Sequence, residues 1–429
     1  MAAAGITAAS LAAATAGMAA GVEPFATWYY PVAWYATLLI FDAAVAWRDG
    51  RFFFLDRPAF LATALAWSVP FWLFFELLDL RLENWYYVFL PRDPVARWAG
   101  IALSFATVIP AVLGSERVLR AWGVARAVRV SPLPVGPRVA AGCRVAGAAM
   151  LALPLAWPRL FFPLVWGGVT LLVDPWVRAR DPSRSLLADL ERGEPGRILR
   201  LLAGGAGIGL LWELFNLGAR GKWIYTVPGL EGLKLFEMPV LGFLGFPFFA
   251  LEAFAVWQAL VLAGLAVPPE GAPLRAPPGA RAAAAVVALA FAVVMIAAMH
   301  VKTISSVAPS LDALGVPAAT LARTGIDNPW ELAASDPAHL AATAGEKESR
   351  TSVWVERARL ATLRGIGAEN ARRLETLGIG SVEALAAADP GRLAARLAAA
   401  GAPVEPARVR IWVRAARDVG GPGATRPSS

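Results

Sequence analysis

The chain is a succession of long apolar runs separated by short polar ones. Eight runs stand out, near residues 26–47, 59–80, 98–116, 139–157, 160–177, 198–217, 238–266 and 282–300. Each is close to the ~20 residues that a helix needs to cross ~30 Å of hydrocarbon. Trp and Tyr gather at their ends (Trp28, Tyr29, Tyr30, Trp85, Tyr86, Tyr87, Trp98, Trp223, Tyr225), as they do at membrane–water interfaces. After His300 the pattern turns to short soluble helices over 310–418, and 419–429 reads as a disordered end. The Ala-rich stretch 1–25 lacks the basic start of a secretory signal, so it is expected to stay on the chain, with an extra helix as the alternative. The fold expected is all-α: a polytopic bundle of about eight spans followed by a small soluble domain.

The apolar part reads as two tandem four-helix copies, 26–157 and 158–300. Thr37-Leu38-Leu39-Ile40-Phe41-Asp42 echoes Thr170-Leu171-Leu172-Val173-Asp174, and Glu76-Leu77-Leu78-Asp79 echoes Glu213-Leu214-Phe215-Asn216. Trp85 and Tyr87 echo Trp223 and Tyr225, while Phe105, Pro110 and Glu116 echo Phe243, Pro247 and Glu252. Copies with an even number of spans are parallel, related by an axis along the membrane normal. Transporters use this arrangement and place their sites between the halves. A second repeat, with an offset of 53, lies in 310–418: Leu321, Gly325-Ile326, Leu332 and Asp336-Pro337 recur as Leu374, Gly378-Ile379, Leu385 and Asp389-Pro390. Each Asp-Pro reads as helix punctuation, an N-cap followed by a first helical residue.

Composition supports the membrane reading: 57% of the 429 residues are hydrophobic and 17% charged, with mean hydropathy +0.54. The formal charge of +8 comes mostly from Arg. The loops after the first, third, fifth and seventh runs carry 16 basic residues against 7 in those after the second, fourth and sixth. The first set is therefore expected in the cytoplasm, and the span count puts the C-terminal domain outside it. With a lone cysteine, Cys143, and only His300 and His339, no metal or cofactor is expected, and histidine-rich di-iron or haem chemistry is disfavoured.

Candidate chemistry concentrates in Leu211–Trp257. An ionisable group within a span is a functional candidate by default. Glu76 and Asp79 share one helix face, as do Glu213 and Asn216. Each pair precedes an outward loop whose Trp85/Tyr87 or Trp223/Tyr225 point the same way if the segment is extended. Glu252 sits mid-span, five residues after Pro247, in a setting that suits a general acid. Glu116, its echo, lies beside Arg117, where a surface ion pair accounts for it. The second half is thus the candidate active half. Glu213 and Glu252 are the catalytic candidates. Asn216, Lys222, Trp223, Tyr225, Glu76, Asp79, Trp85 and Tyr87 are the binding candidates. The competing reading is that these carboxyls only hold helices together.

The order of motifs (acid, Trp-x-aromatic, then a span with Pro and Glu) resembles that of the membrane-embedded lycopene cyclase type of carotenoid enzyme. Glu237-Met238-Pro239 and the separated Pro247 and Glu252 stand where that family has Pro-x-Glu-Glu. The resemblance implies protonation of an isoprenoid double bond, with Glu252 or Glu213 as donor and Trp223 and Tyr225 stabilising the cation. The stretch from Lys222 to Glu252 is also similar to that of uncharacterised bacterial polytopic membrane proteins, which implies a bacterial cytoplasmic (inner) membrane. In the soluble part, Leu363-Arg364-Gly365-Ile366-Gly367, Ala371 and Leu374 resemble the helix-hairpin-helix motif. That likeness implies a phosphate or partner site at Gly365 and Gly367, with Arg364, Arg372 and Arg373 beside it. The earlier copy has Gly315-Val316-Pro317 and is degenerate. Residues 310–429 hold 15 basic and 13 acidic side chains, a poor balance for nucleic acid. A protein partner or self-association is therefore expected of this domain, and membrane lipid of the spans.

Three function classes stay open from sequence. They are an enzyme acting on a lipid or isoprenoid, a membrane-anchored scaffold carrying a binding domain, and a transporter with its site between the halves.

Overall fold

A computed structural model of the chain describes residues 2–227, 233–270, 274–321 and 324–420. Among them are eight helical stretches long and apolar enough to cross a membrane: Phe25–Asp49, Pro58–Leu82, Pro94–Ala121, Pro137–Ala156, Pro158–Arg180, Gly196–Gly218, Val240–Leu262 and Pro278–Lys302. They fall on the eight apolar runs and are numbered here as the first to eighth spans. Helix is the form these runs must take, because hydrocarbon offers no partner to a bare N–H or C=O group. Residues 421–429, most of the end expected to be disordered, lie outside the described residues. The last helix, Pro406–Gly420, extends further than the 418 boundary.

The chain divides into two compact units. Met1–Trp85, Trp98–Arg220 and Val227–Thr303 form one; Tyr86–Arg97, Gly221–Thr226 and the chain from Ile304 onward form the other. Parts of two loops thus join the C-terminal domain.

In the first unit, Ala2–Ala19 is a further apolar helix. It lies along the first span, with the Thr15 and Tyr29 hydroxyls 3.3 Å apart and Gly17 against the Phe25 ring. The third span is two helices, Pro94–Ala106 and Val108–Ala121, meeting at Thr107. The Ser68 hydroxyl patches that joint. It donates to the Phe105 carbonyl at 2.6 Å and accepts the Ile109 N–H at 3.0 Å. The seventh span likewise opens with a 3₁₀ turn, Val240–Leu244, before the α-helix Gly245–Leu262. A two-residue hairpin ladder precedes it, Lys234–Leu235 against Met238–Pro239.

Strand β1 (Trp85–Val88), which enters the second unit at Tyr86, pairs with strand β2 (Lys222–Tyr225). The chain beyond the eighth span then runs parallel to the first loop. Ser305 N–H donates to Tyr87 O at 2.8 Å and Ala308 N–H to Leu90 O at 2.9 Å. These bonds explain why the loop segments belong with the C-terminal helices. Asp336 and Asp389 cap the helices Pro337–Ala344 and Pro390–Ala399 by accepting from His339 N–H and Arg392 N–H, as the Asp-Pro spacing predicts. Leu321, Leu332, Leu360, Leu374, Leu385 and Trp412 are among the buried residues of this unit's core.

Candidate functional site

The intramembrane carboxyls are not scattered. Glu76, Glu213 and Glu252 are 0% exposed, and the helices that carry them contribute Trp72, Trp212 and Phe249 to one cluster of aromatic rings. The Trp72 ring packs on Trp212 at 5.1 Å, Phe249 at 5.6 Å and Trp85 at 6.2 Å. Phe75 stacks on Trp166 at 5.4 Å, and Phe249 meets both Phe75 and Trp166 nearly edge-on. The cluster thus joins the second, fifth, sixth and seventh spans, drawing on both halves of the chain.

Within it, Glu76 Oε1 accepts from the indole N–H groups of Trp72 at 2.9 Å and Trp85 at 3.1 Å. Asp79 accepts the Asn84 N–H at 2.8 Å and so closes the end of the second span. Glu213 lies within electrostatic reach of Tyr30 on the first span, and Asn216 is buried one turn further on. Glu252 faces elsewhere. Its Oε1 accepts the N–H groups of Gly167 at 2.8 Å and Val169 at 2.9 Å, where the fifth span is interrupted. Its Oε2 is buried and has no hydrogen-bond partner among the described residues. The two catalytic candidates therefore have different neighbours.

The loop residues have a different address. Trp85 reaches Glu76, but Tyr87, Trp223 and Tyr225 are buried in the second unit, and Lys222 is half-buried at the start of β2. All four residues of β1 are buried, so alternation does not sort Trp85 and Tyr87 onto a favoured face. Phe75, Trp166 and Phe249 are among the rings that share a unit with Glu252. Sequence reasoning passed over Trp72, Trp166 and Gly167. Trp72 was detectable, because it precedes Glu76 by four residues on the same helix face. Gly167 carried the weaker signal of a Gly-Gly pair inside an apolar run.

Two carboxylates outside the candidate set do parallel work. Asp42 accepts the N–H groups of Phe53, Phe54 (2.7 Å) and Leu55 (3.0 Å). Asp174 accepts the Leu186 and Leu187 N–H groups at 3.0 and 2.8 Å and the Ser185 hydroxyl at 2.7 Å. Further along the second of these loops, Arg178 grips Glu191 through Nε and Nη2, which holds that carboxyl below its ordinary pKa. Burial pushes Asp189 the other way, against the pull of Arg197 and Arg192. Glu116 pairs with Arg200 at 2.7 Å rather than with its neighbour Arg117, which bonds Asp49 instead. Among the described residues no group of three or more His, Cys, Asp or Glu is placed to hold a metal.

In the C-terminal helices, Gly365 and Gly367 have φ of 83° and 75°, conformations that glycine adopts without strain. Their surfaces are taken. A Cβ on Gly365 would come within 2.4 Å of Val88, and one on Gly367 within 2.7 Å of Ser306. Ser306 donates its hydroxyl to Gly365 O at 2.8 Å and accepts Phe89 N–H at 3.2 Å. Asn370 Nδ2 donates to Ile366 O at 2.9 Å and reaches Ser305 O at 3.4 Å. Arg373 bonds Glu369 and Asn370, Arg364 sits at φ 39°, and Arg372 is exposed. The hairpin therefore meets the chain's own segments rather than open solvent.

Residues 317–418 match a family described as a domain of unknown function, DUF4332. No curated protein and no solved structure matches the chain.

Proposed function

We propose that this integral membrane protein acts on an unsaturated apolar lipid of the isoprenoid kind, with Glu252 as proton donor. One observation carries the reading. Glu252 is a fully buried carboxyl, held at one oxygen by two amides of the turn that carries Trp166 and without a partner at the other among the described residues. Its proton adds to one carbon of a C=C bond, whose π electrons form the new C–H bond and leave a cation on the other carbon. A neighbouring double bond closes on that cation, and loss of a proton to the Glu252 carboxylate ends the cycle. Electrons balance without an oxidant. The faces of Trp166, Phe75 and Phe249 suit such a cation, each contact being worth about 0.5–2 kcal/mol.

The repeat reading supports this proposal. Asp42 and Asp174 each capture groups 11, 12 and 13 residues downstream, so the two halves share a device as well as a pattern. The third and seventh spans each begin with a separate short helix ahead of Pro110 or Pro247. Between two such halves, Glu252 is the copy whose counterpart, Glu116, is neutralised by an arginine.

Glu252→Gln keeps an oxygen to accept both amides but removes the proton. Lipid and pigment extracts of cells carrying this variant are expected to lose a product and accumulate its precursor, with equal protein in the membranes. Extracts identical to wild type overturn the enzyme reading, and lost uptake or efflux of a solute in their place points to transport.

A second reading, a membrane-anchored binding module, has its own support. Residues 317–418 match a recognised domain, and Trp330 and Ile411 pack on Tyr86, Val88, Phe89 and Ile224 within the second unit. It predicts that Glu252→Gln is silent while the C-terminal helices retain a protein partner.

A further inference from the structure

The interruption of the fifth span has its own geometry. Trp166 (φ −84°, ψ 106°) and Gly167 (φ 109°, ψ −19°) leave the helical region together. Their torsions approximate the two central positions of a type II turn, the second of which needs positive φ and takes Gly or Asn. A turn inside a span strips amide N–H groups of their helical acceptors, and hydrocarbon supplies none. Glu252 Oε1 supplies the acceptor for two of them, Gly167 and Val169. The same turn sets the Trp166 ring parallel to Phe75, at 18° between planes, and edge-on to Phe249, which precedes Glu252 by three residues on its own span. Space is not what demands glycine at 167. An added Cβ would meet Met150 Cε at 3.5 Å and Phe248 Cβ at 4.0 Å, both ordinary contacts. The demand is torsional.

We infer that Gly167 is a positioning residue for Glu252: the turn it permits engages Oε1 with two amides and reserves Oε2, which has no partner among the described residues, to carry the proton. This rests on the reading of Glu252 as a proton donor, and it adds which oxygen acts and what aims it.

The test is infrared spectroscopy of the full-length protein in lipid vesicles. A carboxylic acid C=O band present in wild type and missing in Glu252→Gln belongs to Glu252. Gly167→Ala is expected to shift or broaden that band, because the strained turn no longer delivers both amides to Oε1. Gly207→Ala, in the sixth span with nothing within 4 Å of an added Cβ, is expected to leave it in place. If Gly167→Ala does not fold, Gly167→Asn, whose side chain tolerates positive φ, provides the comparison and is expected to shift the band less than alanine would. A wild-type band position in both position-167 variants overturns the positioning role. Absence of any band assignable to Glu252 overturns the assignment of a proton to Oε2. If the band responds as expected while Glu252→Gln leaves lipid extracts unchanged, the positioning stands and the catalytic reading falls.

Discussion

Single carboxylates decide how this chain turns corners at the ends of its spans. Asp174 takes two amides and a hydroxyl from the loop that follows the fifth span, and it is 1% exposed. Removing an acceptor that leaves buried donors unsatisfied costs about 1–3 kcal/mol per group. Asp174→Ala is therefore expected to destabilise the protein by several kcal/mol, and Asp174→Asn by less, since an amide oxygen still accepts. Thermal unfolding in detergent should rank wild type above Asn and Asn above Ala; equal midpoints would remove the capping role. Asp42 and Asp174 were visible in the sequence as landmarks of a repeat. Their partners were not, because a donor 11 to 13 residues away in an irregular loop leaves no periodic trace. Glu252 stood out for the cost of burying a carboxyl in hydrocarbon. Its acceptor role stayed hidden because Gly167 and Val169 lie more than 80 residues away.

At the level of elements, the spans were legible because apolar length in a membrane leaves the backbone one way to satisfy itself. Their interruptions were not. The third span breaks at Thr107 and the fifth at Trp166–Gly167, and each break is mended by a side chain from another helix, Ser68 or Glu252. Composition records the run and not the mend. The glycine hairpin of the C-terminal helices was legible as a turn, whereas the surface it meets was not, since Val88 and Ser306 come from separate parts of the chain. Two substitutions separate torsion from contact there. Gly378 has φ 78° and nothing within 4 Å of an added Cβ, while Gly365 has φ 83° and Val88 at 2.4 Å. Gly378→Ala is expected to cost about 1–3 kcal/mol from its conformation alone. Gly365→Ala should cost clearly more and should speed hydrogen exchange at Tyr87–Leu90 as well as around the hairpin. Equal effects at the two sites would mean that the Val88 contact contributes nothing.

For the whole molecule, the decisive fact is which loops keep company. Segments following the second, sixth and eighth spans form one compact unit. Even numbers of spans separate them, so eight full crossings put all three on the same side of the membrane. The Arg excess in the loops after the first, third, fifth and seventh spans assigns the opposite side to the cytoplasm. These are separable claims, the first about packing and the second about charge, and a single labelling experiment addresses both. Cys143 is the lone cysteine, so Cys143→Ser gives a background free of thiols. Into it go Arg51→Cys, Asp93→Cys and Arg372→Cys, one at a time, each at an exposed position. A membrane-impermeant maleimide added to intact cells is expected to label positions 93 and 372 and to spare position 51 until the membrane is broken. Labelling of 93 and 372 in different compartments would break the second unit apart and with it the eight-span count. Joint labelling of both only after lysis would keep the count and reverse the orientation, leaving the arginines on the outer face and the hairpin helices in the cytoplasm.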